Sequence, residues 1–303
     1  MELASNTVLV TGGASGIGLA LAERFLRAGS EVIICGRHED TLRAAQAAHR
    51  GLHTRVCDVE TAPGRVSLFT WAAAAFPRLD VLVDNAGIRR RGPRLWEDQD
   101  GWEHVHQEIA VNFEAPVHLS QLFIPHLLKQ PRAAIVNVTS GLGFAPMAAV
   151  PVYSATKAAL HSFTVSLRHR LESTPIRVVE IIPPAVNTDL GGPGLHTFGV
   201  PVDEFADAIM DRIENGDLEV AYGFAQQASR ASREELDQIV SRMNQSPRLT
   251  HQPKTRHGGA CHSTTSAAGR AGTVSKASCA EQRRPSARRA AARTSNGCSQ
   301  RSP

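Results

Sequence analysis

From residue 7 to residue 222 short apolar runs alternate with longer segments of helical periodicity, and this alternation restricts the fold more than any other feature of the chain. The runs TVLVT (7–11), EVIIC (31–35), HTRVCDV (53–59), DVLVD (80–84), AAIVNVTS (133–140), RVVEII (177–182) and LEVAY (218–222) read as strands. Helices are expected at 16–28, near 39–49 and 65–76, at about 103–129 and 152–172, at 203–214 and across 224–243. On the first of these Ile17, Leu21 and Phe25 share one face, and Gly29 stands where a helix stop belongs. Strands that are apolar at nearly every position need cover on both faces, and a helix after each strand supplies it. The expected class is therefore α/β, a doubly wound parallel sheet in a single domain of residues 1–247, with a Gly/Pro-rich loop at 183–201.

The 303 residues carry a formal charge of +4, but the charge is unevenly divided. Residues 248–303 hold 11 of the 33 Lys and Arg and one of the 29 Asp and Glu (Glu281), a local charge of +10; the remainder carries −6. Between 250 and 303 the only large aliphatic residue is Val274, so this segment cannot bury enough apolar area to offset its ordering entropy and is expected to be disordered. A solvated extension is favoured over a nucleic-acid-binding arm, because no aromatics are interleaved with the charges. No apolar run reaches 18 residues, so a membrane span is not expected, and the first residues lack the basic and apolar regions of a signal peptide. The five cysteines have neither metal-ligand spacing nor scaffold density: Cys35 and Cys57 fall in expected strands, and Cys261, Cys279 and Cys298 lie in the tail. A reducing cytoplasm is the expected setting.

The first strand leads into Thr11-Gly12-Gly13-Ala14-Ser15-Gly16-Ile17-Gly18, which opens the first helix. Gly12 permits a tight turn, Gly16 lets backbone approach a pyrophosphate, and Gly18 lets the helix pack closely. Free N–H groups and the positive dipole end at the start of a helix favour phosphate. A glycine cluster alone says little, but one that follows a strand, opens a helix and begins a β/α series points to a dinucleotide and a Rossmann fold. The spacing T-G-x-x-x-G-x-G resembles that of the short-chain dehydrogenase/reductase family, and the resemblance extends over most of residues 5–245. It implies cofactor contacts from Thr11, Gly12, Ser15, Gly16, Ile17 and Gly18. Asp58-Val59 matches the family's adenine-contacting position. Asp84-Asn85-Ala86-Gly87 resembles its N-N-A-G motif, with Asp84 in place of the first Asn; Asn85, Ala86 and Gly87 keep a small surface for the cofactor.

The second strand ends Cys35-Gly36-Arg37-His38, without the acid that holds a ribose 2′-OH in NAD-binding versions of this fold. Arg37 offers a planar fork of donors to a 2′-phosphate; the alternative is an ordinary exposed arginine at a strand end. NADP(H) is the preferred cofactor, with NAD(H) left open.

Tyr153 and Lys157 stand four residues apart in Tyr-Ser-Ala-Thr-Lys, a spacing that puts phenol and ammonium on one helix face. A cation about 5 Å away at an effective dielectric near 20 contributes roughly 3 kcal/mol, enough to bring a phenol down by about two pKa units. Ser140 lies 13 residues upstream of Tyr153, and Asn112 sits on the preceding long helix. The family resemblance covers this constellation too and implies its roles. Tyr153 exchanges a proton with the substrate oxygen, Lys157 lowers the tyrosine pKa and holds the nicotinamide ribose, Ser140 polarises the carbonyl, and Asn112 fixes a water that links Lys157 to solvent. Pro183-Pro184-Ala185-Val186-Asn187-Thr188 matches the family's P-G-x-V-x-T segment except at Pro184, so that Pro183, Val186 and Thr188 are expected around the carboxamide. The run from Ile135 to Glu172 resembles the DltE-like subgroup, which fixes no substrate.

His104, His106, His118 and His126 show no metal-binding spacing and are expected as packing or surface residues. Arg89-Arg90-Arg91 is expected as a solvated charge run rather than a face for an anionic substrate. Leu142, Phe144, Met147, Leu190, Leu195 and Phe198 are candidates for an apolar substrate pocket or for plain core. The resemblance implies an oxidoreductase that interconverts a carbonyl and a secondary alcohol, acting on a small molecule and associating, as the family does, through its two long helices as a homodimer or homotetramer. A non-catalytic NADP-binding regulator is the alternative.

Overall fold

The computed structural model describes residues 1–90 and 101–245 of the chain. The elements run β1 (Thr7–Thr11), α1 (Gly16–Arg27), β2 (Glu31–Gly36), α2 (Glu39–Ala48), β3 (Leu52–Val56), α3 (Ala62–Ala75), β4 (Val81–Asp84), α4 (Gly101–Ile109), α5 (Ala115–Leu127), β5 (Ala133–Val138), α6 (Pro151–Arg170), β6 (Ile176–Ile182), α7 (Val202–Glu214), β7 (Glu219–Ala221), α8 (Phe224–Arg230) and α9 (Arg233–Met243). The seven strands form one sheet in the order β3-β2-β1-β4-β5-β6-β7, parallel throughout. This is the doubly wound Rossmann arrangement expected from the alternation, and the order reverses between β1 and β4, where such sheets bind ligands.

Both faces are covered. Val8, Val10, Val83, Val136 and Ile181 pack with Leu21 and Phe25 of α1, Leu42 of α2 and Phe205 and Ile209 of α7. On the other face Leu9, Leu82, Ile135 and Val178 pack with Leu68 of α3 and Leu119 and Phe123 of α5. Every residue of β1 and of β5 is buried, which is why these runs read as apolar without alternation.

Three elements differ from expectation. The third strand stops at Val56, so Cys57 lies just beyond it. The helix expected over about 103–129 contains a π turn, Ala110–Glu114, in which the Ala115 N–H donates to the Ala110 carbonyl. Residue 116 is proline and has no N–H, so the Asn112 carbonyl lacks its α-helical donor, and the wider turn accommodates that loss. The helix expected over 224–243 is two helices, because Ser232 caps α9: its side chain accepts from the Glu235 N–H while Glu235 accepts from the Ser232 N–H. The expected boundary at 247/248, the basic tail and Arg91 lie outside the described residues. Among the described residues no helix is long and apolar enough to cross a membrane.

Candidate active site

The carboxyl ends of the strands open onto a cleft of about 1550 Å³ that runs from the glycine turn past β2 and β4 to the starts of α6 and α8. Gly12 (φ +63°) and Gly16 (φ +54°) adopt left-handed backbone in the turn. A Cβ on Gly12 would lie 2.9 Å from Ala86 Cα, and one on Gly18 would lie 2.4 Å from both Asn85 Nδ2 and the Gly12 carbonyl. The turn therefore closes against the end of β4, and hydrogen bonds fix that closure. Thr11 Oγ1 accepts from the N–H groups of Asn85 (3.0 Å) and Ala86 (3.1 Å), while Asn85 Nδ2 donates to the carbonyls of Thr11 (2.9 Å) and Gly12 (3.2 Å).

Gly12, Ser15, Gly16, Ile17, Arg37, Asp58, Val59, Asn85, Ala86, Gly87, Ser140, Tyr153, Lys157, Pro183, Val186 and Thr188 all line the cleft. Thr11, Gly18 and Asn112 stand behind its wall: Thr11 and Gly18 shape the turn, and Asn112 braces the chain after β4. Asn112 Oδ1 accepts from the Ile88 N–H (2.8 Å), and its Nδ2 donates to the Ile88 carbonyl (2.8 Å) and to Thr156 Oγ1 (3.2 Å). A Cβ on Gly87 would lie 3.5 Å from Asn112 Oδ1 and 3.7 Å from Lys157 Nζ, so a bare backbone at this point brings both groups to one place. Arg37 is partly exposed, with Nη1 3.9 Å from Glu60 Oε2.

Tyr153, Lys157 and Ser140 converge. Ser140 faces the Tyr153 hydroxyl, and Ser140 Oγ accepts from the Leu142 N–H at 3.2 Å. Lys157 Nζ donates to the Val138 carbonyl at 2.8 Å and lies 5.8 Å from the Tyr153 ring centre. The electrostatics correct one expectation. Burial pushes the Tyr153 phenol up to about 12, outweighing the neighbouring Ser140 hydroxyl and the positive charge of Arg89, which pull it down. Burial likewise lowers Lys157 to about 8, against the pull of Asp84. A through-space estimate between two exposed charges omits this desolvation, which in a closed site is the larger effect.

Asp84, the residue that replaces the first Asn of the motif, is buried at the end of β4, and neither carboxylate oxygen has a hydrogen-bond partner. Burial drives its carboxyl well above the usual carboxylate range, and Lys157 draws it back.

Leu142, Met147, Leu190 and Phe198 line the far end of the cleft as proposed from sequence. Phe144 does not; it packs against the His161 ring, 4.4 Å between centres, and into the core below α8. Leu195 turns toward Gly192. The wall also holds Arg89, Arg90 and His104, so two members of the charge run and one scattered histidine face the cleft, as do Phe224 and Met243 from the last helices. His118 and His126 are packing residues: His118 Nδ1 accepts from Arg65 Nε at 3.1 Å, and His126 Nε2 lies 3.0 Å from the Leu79 carbonyl. No cluster of three His, Cys, Asp or Glu suited to a metal occurs among the described residues.

The 183–201 loop folds back on itself. Val186 and Val200 form a parallel bridge, the Asn187 N–H donates to the Val200 carbonyl (2.8 Å), and His196 Nδ1 lies 3.1 Å from the Thr188 carbonyl.

Comparison with known proteins agrees with this geometry. The short chain dehydrogenase family model matches residues 6–195. An uncharacterized oxidoreductase, DltE of Bacillus subtilis (strain 168), is 45% identical over 255 residues, covering 80% of this chain and 98% of that protein. A short-chain dehydrogenase from Sphingobium yanoikuyae, solved in complex with NADPH, superposes with a TM-score of 0.67 at 25% identity, covering 80% of this chain and 98% of that one. One from Burkholderia cenocepacia J2315, in complex with NADP, gives 0.69 at 26%, covering 82% and 100%. The fold and cleft define an oxidoreductase of the dinucleotide-binding class, and the chain belongs to the short-chain dehydrogenase/reductase family. Within that family it is of the DltE-like subgroup.

Proposed function

We propose that the protein is an NADP(H)-dependent oxidoreductase that interconverts a carbonyl and a secondary alcohol at Tyr153, Lys157, Ser140 and Asn112. The observation that carries the reading is the convergence of the Tyr153 hydroxyl, Ser140 and buried Lys157 on a cleft that begins at the glycine turn. The cleft suits a dinucleotide: Gly12, Ser15, Gly16 and Ile17 present backbone at the α1 N-terminus for a pyrophosphate. Asp58 and Val59 would border the adenine, and Asn85, Ala86 and Gly87 the middle of the cofactor. Pro183, Val186 and Thr188 would border the carboxamide. Arg37 lines the cleft just after β2, whose carboxyl end carries no acid, which suits a 2′-phosphate. The two related structures solved with NADPH and NADP support the same choice; NAD(H) is the weaker alternative.

When bound, nicotinamide supplies or accepts the hydride. The chain does the rest. Ser140 holds the substrate oxygen by a hydrogen bond. Tyr153, whose phenol burial keeps protonated at neutral pH, gives its proton to that oxygen as a carbonyl is reduced. Lys157 supplies positive charge beside the phenol and a donor to the nicotinamide ribose. Asn112 ties the π turn to Ile88 and so fixes the floor beneath Lys157; its backbone carbonyl, which lacks an α-helical donor, would be an acceptor for a water serving the lysine. Leu142, Met147 and Phe198 favour a substrate with an apolar body. Buried free thiols at Cys35 and Cys57 agree with a reducing, cytoplasmic setting. Assembly as a dimer or tetramer through α4–α5 and α6 completes the proposal, and light scattering tests it.

The deciding experiment is an NADPH-oxidation screen over ketones, aldehydes, quinones and 3-oxoacyl thioesters, run beside Tyr153→Phe. Turnover of any of these that is lost in the variant supports the mechanism; turnover that survives it removes Tyr153 from the chemistry.

A further inference from the structure

Three adjacent strands carry a polar residue at the same level of the sheet. Asp84 of β4 is in register with Asn137 of β5, and Asn137 with Glu180 of β6. Strand alternation puts all three on one face, each two residues beyond Leu82, Ile135 or Val178 of the core shared with α3 and α5. Helix α6 presents Lys157, His161 and Thr164, at spacings of four and three, to the same row. Two of the pairs are closed by contact: Asn137 Nδ2 donates to Thr164 Oγ1 at 2.9 Å, and both oxygens of Glu180 lie 3.0 Å from His161 Nδ1. The third pair is not. Asp84 has no hydrogen-bond partner, and Lys157 Nζ reaches the carbonyl of Val138, the residue that follows Asp84's register partner.

We propose that Asp84 is the buried counter-charge of Lys157, a positioning residue that keeps the lysine in its ammonium form beside Tyr153. The proposal rests on the reading of Lys157 given above. A buried ammonium with a single carbonyl acceptor is costly unless a negative charge offsets it, and a buried carboxylate without donors is equally costly alone. Together the two are net neutral. Each draws the other toward its charged form against the effect of burial. The groups nearest the pair carry no charge: Asn137 and Asn112 do not titrate, the Tyr153 phenol is held protonated, and Cys35 of β2 is kept a neutral thiol by burial, while Arg89 and Glu108 act on Tyr153 rather than on Asp84 or Lys157. The family motif has an amide at this position, so Asp84 gives this chain a carboxyl where the pattern has none. Without it Lys157 sheds its proton more easily, and the phenol loses the positive charge of the lysine.

The chain has four lysines, Lys129, Lys157, Lys254 and Lys276, so each can be followed by NMR after 13C-lysine labelling of the ligand-free protein. Loss of a signal in Lys157→Met assigns that residue. In the wild type the Lys157 signal is expected to titrate near 8. In Asp84→Asn its midpoint is expected to fall by about one pH unit or more, a tenfold change in the protonation constant, and the alkaline limb of the kcat/KM–pH profile should move down with it. Asp84→Ser serves as a second uncharged variant, with folding checked by circular dichroism. The reciprocal measurement needs no change at Asp84: in 13C-aspartate-labelled Lys157→Met the Asp84 carboxyl midpoint should rise. Midpoints that stay in place in the folded variants, or that move the other way, overturn the proposal. A shifted Lys157 midpoint in an enzyme whose turnover is indifferent to Tyr153→Phe would leave the coupling standing and remove the catalytic reading instead.

Discussion

Val8, Val10, Val83, Val136 and Ile181 present an apolar surface to α1 and α7, whereas on the opposite face Leu9, Leu82, Ile135 and Val178 give way toward the carboxyl ends of the strands to Asp84, Asn137 and Glu180. The same strands supply both faces. The contrast separates two tasks. One face holds the sheet to its helices by burial of hydrocarbon, and its side chains need only be the right size. The other holds α6, and with it Tyr153 and Lys157, through polar contacts that have direction as well as strength. A polar row of this kind is expensive unless its members satisfy one another, so its presence beside the cleft marks the face on which position matters more than stability.

Substitutions can break this division or sharpen it. The largest effect is expected from Tyr153→Phe, which should cut turnover by about 10²–10⁴-fold while leaving thermal unfolding close to wild type, since one proton-transferring hydroxyl is removed from a ring that stays packed. Steady-state NADPH oxidation together with a melting curve measures both. Phe25→Ala on the apolar face should do the opposite: a loss of about 3–5 kcal/mol in urea unfolding, with the pH profile of the surviving activity unchanged. A moved profile there would mean that the two faces are not independent. Arg37→Glu, at the cofactor end of the cleft, should raise the KM for NADPH about tenfold or more and leave that for NADH steady or improved; an unchanged preference removes Arg37 from cofactor choice.

The smallest effect concerns His161, whose pKa the Glu180 carboxylate raises above the ordinary histidine value. A raised folded-state pKa stabilises the protein fully below the unfolded value of about 6.5 and ceases to do so as pH rises through the folded value. Wild-type stability should therefore decline over that interval by about 1 kcal/mol or less, His161 being partly exposed, and His161→Gln should lack the slope. Denaturant midpoints collected across pH 5–9 would show it.

Much of the fold was legible because parallel sheets write themselves into sequence as repeated apolar runs, and the glycine turn marks where the series begins. The residues that converge at the cleft were legible for the same reason, since Ser140, Tyr153 and Lys157 follow one strand and one helix at short range. What escaped was of four kinds. The π turn at Ala110–Glu114 had a signal, Pro116 four residues after Asn112, but a proline near a helix reads equally well as a simple break. The gap between α8 and α9 also had one, Ser232 with Glu235 three residues on, inside an otherwise continuous helical pattern. The walls of the substrate end had none. Arg89, His104, Phe224 and Met243 come from segments far apart in sequence, and nothing local distinguishes an arginine or histidine that faces a cleft from one that faces water. The direction of the Tyr153 shift escaped because a pairwise estimate contains the neighbouring charge and omits the burial.

The bridge between Val186 and Val200 divides the loop after β6 into a fixed base and a tip. The base carries Val186 and Thr188 and is pinned by Asn187 and His196; the tip carries Leu190 and, with most of its ring in solvent, Phe198. A stapled base lets the tip change in length or composition without disturbing Val186 and Thr188. Under the proposed function, exchanging residues 189–195 as a short cassette is expected to change substrate preference while Val186 and Thr188 keep their places.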